Sequence, residues 1–291
     1  MAYTPPPFPS FPDPDTLDSY FVAGRNMWPD LDEFKKWELD RSQVPDKVID
    51  FLRSTSLIEY GVSQYVRGYL EFYGHDFKLA MWSAIWAAEE YTHYLVLRRM
   101  LEALGDGLTA EDFAGLERGD FYDSYVAYLH RLRIDGMDPR MEQLVFGVVQ
   151  EHSAAVAYTA AAKHCGIPEL AKVLKRIARD EVRHSRFNQV GLESMVRFCP
   201  AEQREMIWPM FRRVIKDLEM PQAHVAYFDE KQMGSELYHS FWDAQDWSRM
   251  VLYLTQYFGR FRKPLEDSVE DLADPVAEAV EQVGNEEPAA G

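Results

Sequence analysis

Cysteine is almost missing from this chain of 291 residues: only Cys165 and Cys199 occur, with no C-x-x-C spacing. That excludes a disulfide framework and a thiolate zinc site, and it makes a reducing compartment the default. Long hydrophobic runs are missing as well. The longest, Leu79 to Ala88, is about half of what a membrane span needs, so none is expected. The first residues hold neither the basic stretch nor the apolar core of a signal peptide, which points to a cytoplasmic protein. Positive charge is in short supply, with 31 Lys and Arg against 48 Asp and Glu, a net charge of −17. A protein that grips nucleic acid by its backbone is not built this way. Nowhere does polarity alternate with the period of two that marks a strand.

What is present is helix. Pro45 opens a run to Tyr73, and a second extends from Asp76 to Leu104. Shorter helices are expected at 109–117 and 120–134. Asp138-Pro139 then provides an N-cap followed by proline at the first helical position. That helix should stop at Gly166, and the next should run from Pro168 to Pro200. Pro209 is expected to interrupt 200–218, and 235–262 reads as an aromatic-rich helix. Long helices joined by breaks of one or two residues fold back as antiparallel neighbours in a bundle. The expected class is therefore all-α, a four-helix bundle core with additional peripheral helices.

Three regions emerge: a proline-rich arm over 1–29, a helical domain over 30–264 and an acidic tail over 265–291. The tail holds nine acids and no base, with an apolar stripe from Leu265 to Val283. It reads as a frayed end or as a helix docking on a basic patch.

The informative pattern lies among the carboxylates. Glu90-Tyr-Thr-His93 and Glu181-Val-Arg-His184 are Glu-x-x-His motifs within long helices, each aiming a carboxylate and an imidazole at one spot. Glu59 precedes Glu90 by 31 residues and Glu151 precedes Glu181 by 30, with the midpoints at the two helix breaks. Residues equidistant from the turn of an antiparallel hairpin sit at one height. The two hairpins thus converge four carboxylates and two imidazoles on the bundle axis, the ligand set of a dinuclear carboxylate metal site. A third pair, Glu236 and His239, has a similar spacing to Glu205, but Pro209 and Gly234 interrupt its arms. Apolar neighbours such as Trp86, Leu97, Val148 and Ile177 argue that the six residues are buried, where carboxylates are costly unless a cation neutralises them. Oxygen-rich ligands suit iron, with manganese as the alternative.

At these residues the chain resembles the soluble acyl-ACP (acyl carrier protein) desaturases of the ferritin-like di-iron superfamily. The segments that carry the resemblance are Trp86-Ala-Ala-Glu89-Glu90-Tyr-Thr-His93, Phe146-Gly-Val-Val-Gln150-Glu151 and Ile177-Ala-Arg-Asp180-Glu181-Val-Arg183-His184. The resemblance implies a ferritin-like bundle with two iron ions on Glu59, Glu90, His93, Glu151, Glu181 and His184. It makes Glu89 and Asp180 the acids that orient the histidines across the bundle, and Trp28 or Trp37 the tryptophan through which electrons arrive. The implied reaction is O2-dependent introduction of a double bond into a carrier-bound acyl chain, with electrons from a ferredoxin, in a homodimer. Gly61, Ala84, Ala87, Gly147 and Ala154 would leave room for an acyl tunnel. Two departures from the family pattern, Tyr94 in place of glycine and Ala154 in place of threonine, bear on the outcome. A di-iron oxygenase that hydroxylates or N-oxygenates, and a non-enzymatic iron-binding or structural bundle, are the alternatives. Arg176, Arg179, Arg183 and Arg186, with Arg212, Arg213 and Lys216, offer basic patches for an acidic carrier.

Overall fold

The computed structural model describes residues 28, 37–73, 76–117, 120–218, 241 and 243–262. Among these residues the fold is all-α, without strands, and is built on a ferritin-like four-helix core. In chain order the helices are α1 (Asp46–Tyr60), α2 (Val62–Tyr73), α3 (Phe77–Ala103), α4 (Ala110–Glu117), α5 (Asp120–Leu132), α6 (Pro139–His164), α7 (Pro168–Val196), α8 (Ala201–Leu218) and α9 (Ala244–Gly259). No described helix is long and apolar enough to cross a membrane.

Local chemistry sets the boundaries of the core helices. Asp76 caps α3 by accepting from the Lys78 and Leu79 amides, and Asp138 caps α6 by accepting from the Arg140 amide, with Pro139 at the first position. At Gly166, between α6 and α7, φ is +78° and a Cβ would lie 2.1 Å from the Gln43 carbonyl oxygen. Only glycine meets both demands, which keeps this connection to Cys165–Ile167 and lays α7 back along α6. The other hairpin pairs the α1–α2 rod with α3. α1 and α2 also face α6, and α3 faces α7, which closes the core. α5, α8 and α9 cover its flanks.

Three expectations about the helices need correction. The run from Pro45 to Tyr73 is divided at Gly61, whose amide is shared between the Leu57 and Ile58 carbonyls, a local tightening two residues after Glu59. Pro209 does not interrupt α8. It lies exposed within a continuous helix whose opposite side buries Ile207, Met210, Phe211, Val214 and Leu218. That packing outweighs the ~3 kcal/mol a proline costs inside a helix. The last helix begins at Ala244, capped by Asp243. The helix start at Asp30, the pair Glu236 and His239, the arm (except Trp28) and the tail lie outside the described residues.

Candidate metal centre

Glu59 on α1, Glu90 and His93 on α3, Glu151 on α6, and Glu181 and His184 on α7 all point into the core, each at most 8 % exposed. The three-residue spacing in α3 and α7 stacks each Glu beside its own His. His93 Nδ1 lies 2.9 Å from Glu90 Oε2 and 3.3 Å from Glu181 Oε1. His184 Nδ1 lies 2.9 Å from Glu90 Oε1, 3.2 Å from Glu181 Oε2 and 3.5 Å from Glu151 Oε2. Two groups of potential ligands result, Glu59, Glu90, His93 and Glu181, and Glu90, Glu151, Glu181 and His184. Within each group the ligating atoms fall within 4.8 Å of one another. Glu90 and Glu181 belong to both.

The far side of each imidazole is also held. His93 Nε2 is 3.1 Å from Asp180 Oδ2, and His184 Nε2 is 2.9 Å from Glu89 Oε2. Each hairpin thus orients the histidine of the other, which leaves both Nδ1 atoms facing the centre. Arg183 donates to both acids, at 2.8 Å to Asp180 and 3.0 Å to Glu89. The Trp28 indole N–H donates to Asp180 at 2.7 Å, and its ring meets His93 edge-on with centroids 6.1 Å apart. Trp82 meets His184 in the same manner, also at 6.1 Å. Replacing Asp180 by Asn should weaken metal binding about 10–100-fold while leaving the helix content intact. A Co(II) titration followed optically reads this, and unchanged affinity would remove Asp180 from the site.

Crowding ionisable groups in a dry interior displaces the proton equilibria of Glu59, Glu90, His93, Glu151 and Asp180. Burial, and then the charges of Glu90 and Glu181, hold Glu59 well above the usual carboxylate range. Burial dominates at Glu151 too, which is likewise raised despite its contact with His184. Glu90 goes the other way: burial would raise it, but the charges and hydrogen bonds of His184 and His93 pull it down. Asp180 is drawn down to about 2 because its hydrogen bond to His93, with the nearby charges, overcomes burial. For His93, burial disfavours the cation, yet Glu90, Asp180 and Glu181 together raise its pKa well above the ordinary value. The metal-free site stores protons where cations would sit.

A cavity of about 50 Å³ opens between these carboxylates and a wall formed by Tyr65, Tyr69, Trp86, Tyr125 and Phe146, with Gln150 and Ala154 beside Glu151. That is space for ions and molecules the size of dioxygen or water; an extended acyl chain enters only if the wall side chains turn aside. Ala154 therefore sits where the sequence suggests. Tyr94 does not: it is buried against Tyr60, Tyr91 and Phe113 and is absent from the cavity lining. The space at Gly147 is taken by Asn188, whose amide lies 2.8 Å from where a Cβ would stand, and Ala84 is exposed. Neither opens a tunnel. Of the proposed basic patch on α7, Arg183 is committed to Glu89 and Asp180, and Arg176 stacks over Trp28 at 4.7 Å.

Sequence reasoning overlooked Tyr158, whose hydroxyl donates to Glu59 Oε1 at 2.6 Å. It lies two helical turns beyond Glu151 on the same side of α6, a position that by itself reads as ordinary core.

The sequence pattern of the fatty acid desaturase family matches residues 26–261. A protein of Mycobacterium tuberculosis named "Putative acyl-[acyl-carrier-protein] desaturase DesA2", found in strains CDC 1551 / Oshkosh and H37Rv, is 24% identical over 199 residues. The match covers 68% of this chain and 68% of that protein.

Proposed function

The chain belongs to the fatty acid desaturase family, and from that premise we propose that it is an O2-dependent di-iron oxidoreductase introducing a double bond into a carrier-bound acyl chain. The observation that carries the reading is the buried hexad of four carboxylates and two imidazoles with its imidazoles anchored from behind. Burying so many carboxylates costs several kcal/mol each unless cations accompany them. The oxygen-rich donor set fits iron, with manganese as the alternative metal.

In this reading Glu90 and Glu181 would contribute to both positions, Glu59 and His93 would complete one, and Glu151 and His184 would complete the other. Two ferrous ions so bound supply the reduction of dioxygen to an oxidant able to attack an unactivated C–H bond. The protein's own contribution is orientation and exclusion. Asp180 and Glu89 fix the imidazole planes, and the aromatic wall keeps bulk water from the carboxylates; with its side chains turned aside it would confine an alkyl segment beside them. Trp28, Asp180 and His93 form a hydrogen-bonded line from a half-buried indole to the centre, a path for electrons from a ferredoxin. The carrier is taken to be an acyl carrier protein, as in the name of the mycobacterial relative. A cytoplasmic homodimer is the expected working form, which sedimentation of the purified protein tests.

The reaction is tested with protein loaded anaerobically with iron and given reductant, O2 and a panel of acyl-ACPs. The expected product has lost two hydrogens. A product that has gained an oxygen atom would transfer the proposal to the hydroxylating or N-oxygenating class. With neither product the enzymatic reading is withdrawn in favour of an iron-binding bundle.

A further inference from the structure

The two halves of the centre repeat one another closely, so the place where the repeat fails is informative. Glu59, Glu89, Glu90 and His93 correspond to Glu151, Asp180, Glu181 and His184 at offsets of 92 or 91 residues. His93 leans on Asp180 as His184 leans on Glu89, and Glu90 and Glu181 are common to both ligand groups. The terminal carboxylates break the symmetry. Tyr158 stands seven residues after Glu151 and reaches across to Glu59. Its counterpart seven residues after Glu59 is Val66, which has no donor to return to Glu151.

Glu59 is therefore pinned. The Tyr158 hydroxyl donates to its Oε1 at 2.6 Å, and the ring is 1 % exposed and seated edge-on against Phe51 with centroids 5.7 Å apart. Glu151 has no comparable anchor: the closest described partner is His184 Nδ1, 3.5 Å from Oε2. Both carboxylates border the cavity, Glu59 next to Ile58 and Glu151 beside Gln150 and Ala154, so the anchor and not the cavity distinguishes them. A carboxylate with one oxygen engaged by a buried donor has a single favoured orientation, whereas one without such a donor can rotate between binding through one oxygen and through two.

Resting on the metal-binding reading above, we propose that Tyr158 is a positioning residue that makes the two metal positions unequal. It fixes Glu59 at the position shared with His93 and leaves Glu151, at the position shared with His184, as the freer of the two terminal carboxylates that border the cavity. Tyr158 acts through Glu59 and touches neither ion.

The test is Co(II) titration of the full-length metal-free protein, followed by the visible ligand-field bands, which report coordination at each position independently of turnover. Wild type should take up two equivalents in two distinguishable steps; fewer would defeat the metal-binding reading itself. Tyr158→Phe keeps the ring against Phe51 and removes only the hydroxyl. It should weaken one step about 10–100-fold, the range for partners behind a ligand, and leave the other within twofold. In a His184→Ala background, where only the Glu59 and His93 position is complete, Tyr158→Phe should weaken the remaining step. In a His93→Ala background it should leave that step unchanged. Circular dichroism confirms folding of each variant. Equal shifts in both steps, or none, overturn the assignment while leaving the two-ion reading intact.

Discussion

Glu181→Gln is expected to empty both metal positions at once while the protein stays folded. Glu181 is one of two residues common to both ligand groups, with Oε1 3.3 Å from the His93 imidazole and Oε2 3.2 Å from that of His184. Glutamine matches it in shape but brings one neutral oxygen where two anionic ones stood, so it cannot be shared between two cations. A partner one bond removed from a metal is worth about 10–100-fold in affinity. A ligand serving both ions should cost more than that at each, lowering the stoichiometry from two to below one. Product formation should then fall to background. Glu193→Gln, which loses only the partly buried ion pair with Arg260 on the flank of α7, is the control and should keep both ions. Metal analysis after desalting, with a far-ultraviolet spectrum, decides the matter. A variant that retains two ions would show that the centre is not bridged by Glu181.

Much of that centre is legible in the sequence because its constraints are periodic. A Glu-x-x-His on a helix must present both groups together, and a lone Glu equally distant from the turn must meet them. Glu89 and Asp180, which precede the ligands in both halves, come from the family resemblance and not from the spacing. What escapes is whatever depends on the direction of a single side chain. Tyr94 follows Glu90 by four residues, but a rise of about 6 Å along the helix carries it to another level. There Tyr60 and Phe113 receive it. Tyr158 escaped for the opposite reason: a tyrosine within an apolar helix has the composition of an ordinary core residue, and only the crossing of α6 past α1 turns its hydroxyl onto Glu59. Gly61 reads as a tolerated helical glycine until the Glu59 end of α1 is seen to tighten there. At Pro209, local propensity was outweighed by the burial of Phe211 and its neighbours.

Metal loading should stabilise the protein, and by more at pH 8 than at pH 5.5. In the metal-free protein Glu59 and Glu151 titrate above their unfolded value of 4.5. As pH rises from that value toward the folded one, the unfolded chain gives up protons the folded chain still holds, so stability falls. His93, raised above 6.5, contributes stability that is complete below that value and is lost as pH climbs through the folded one. Both effects act in the same direction. The groups shifted downward, Glu90 and Asp180, lend stability that is present above their unfolded values and lost only in acid, so they are silent over this window. Divalent cations bind by displacing the stored protons, so their affinity increases with pH. Free metal at a hundred times the dissociation constant of each site contributes about 2.7 kcal/mol per ion, or roughly 5 for the pair. For a chain of this size each kcal/mol moves the midpoint by about 2–4 °C, giving a shift of roughly 10–20 °C. Thermal melts with chelator and with Mn(II), which avoids oxygen chemistry, should show the two curves diverging from pH 5.5 to pH 8 as the metal-free midpoint falls. A gap that is constant or widest in acid would mean that the protons stored by Glu59, Glu151 and His93 are not those the metals replace.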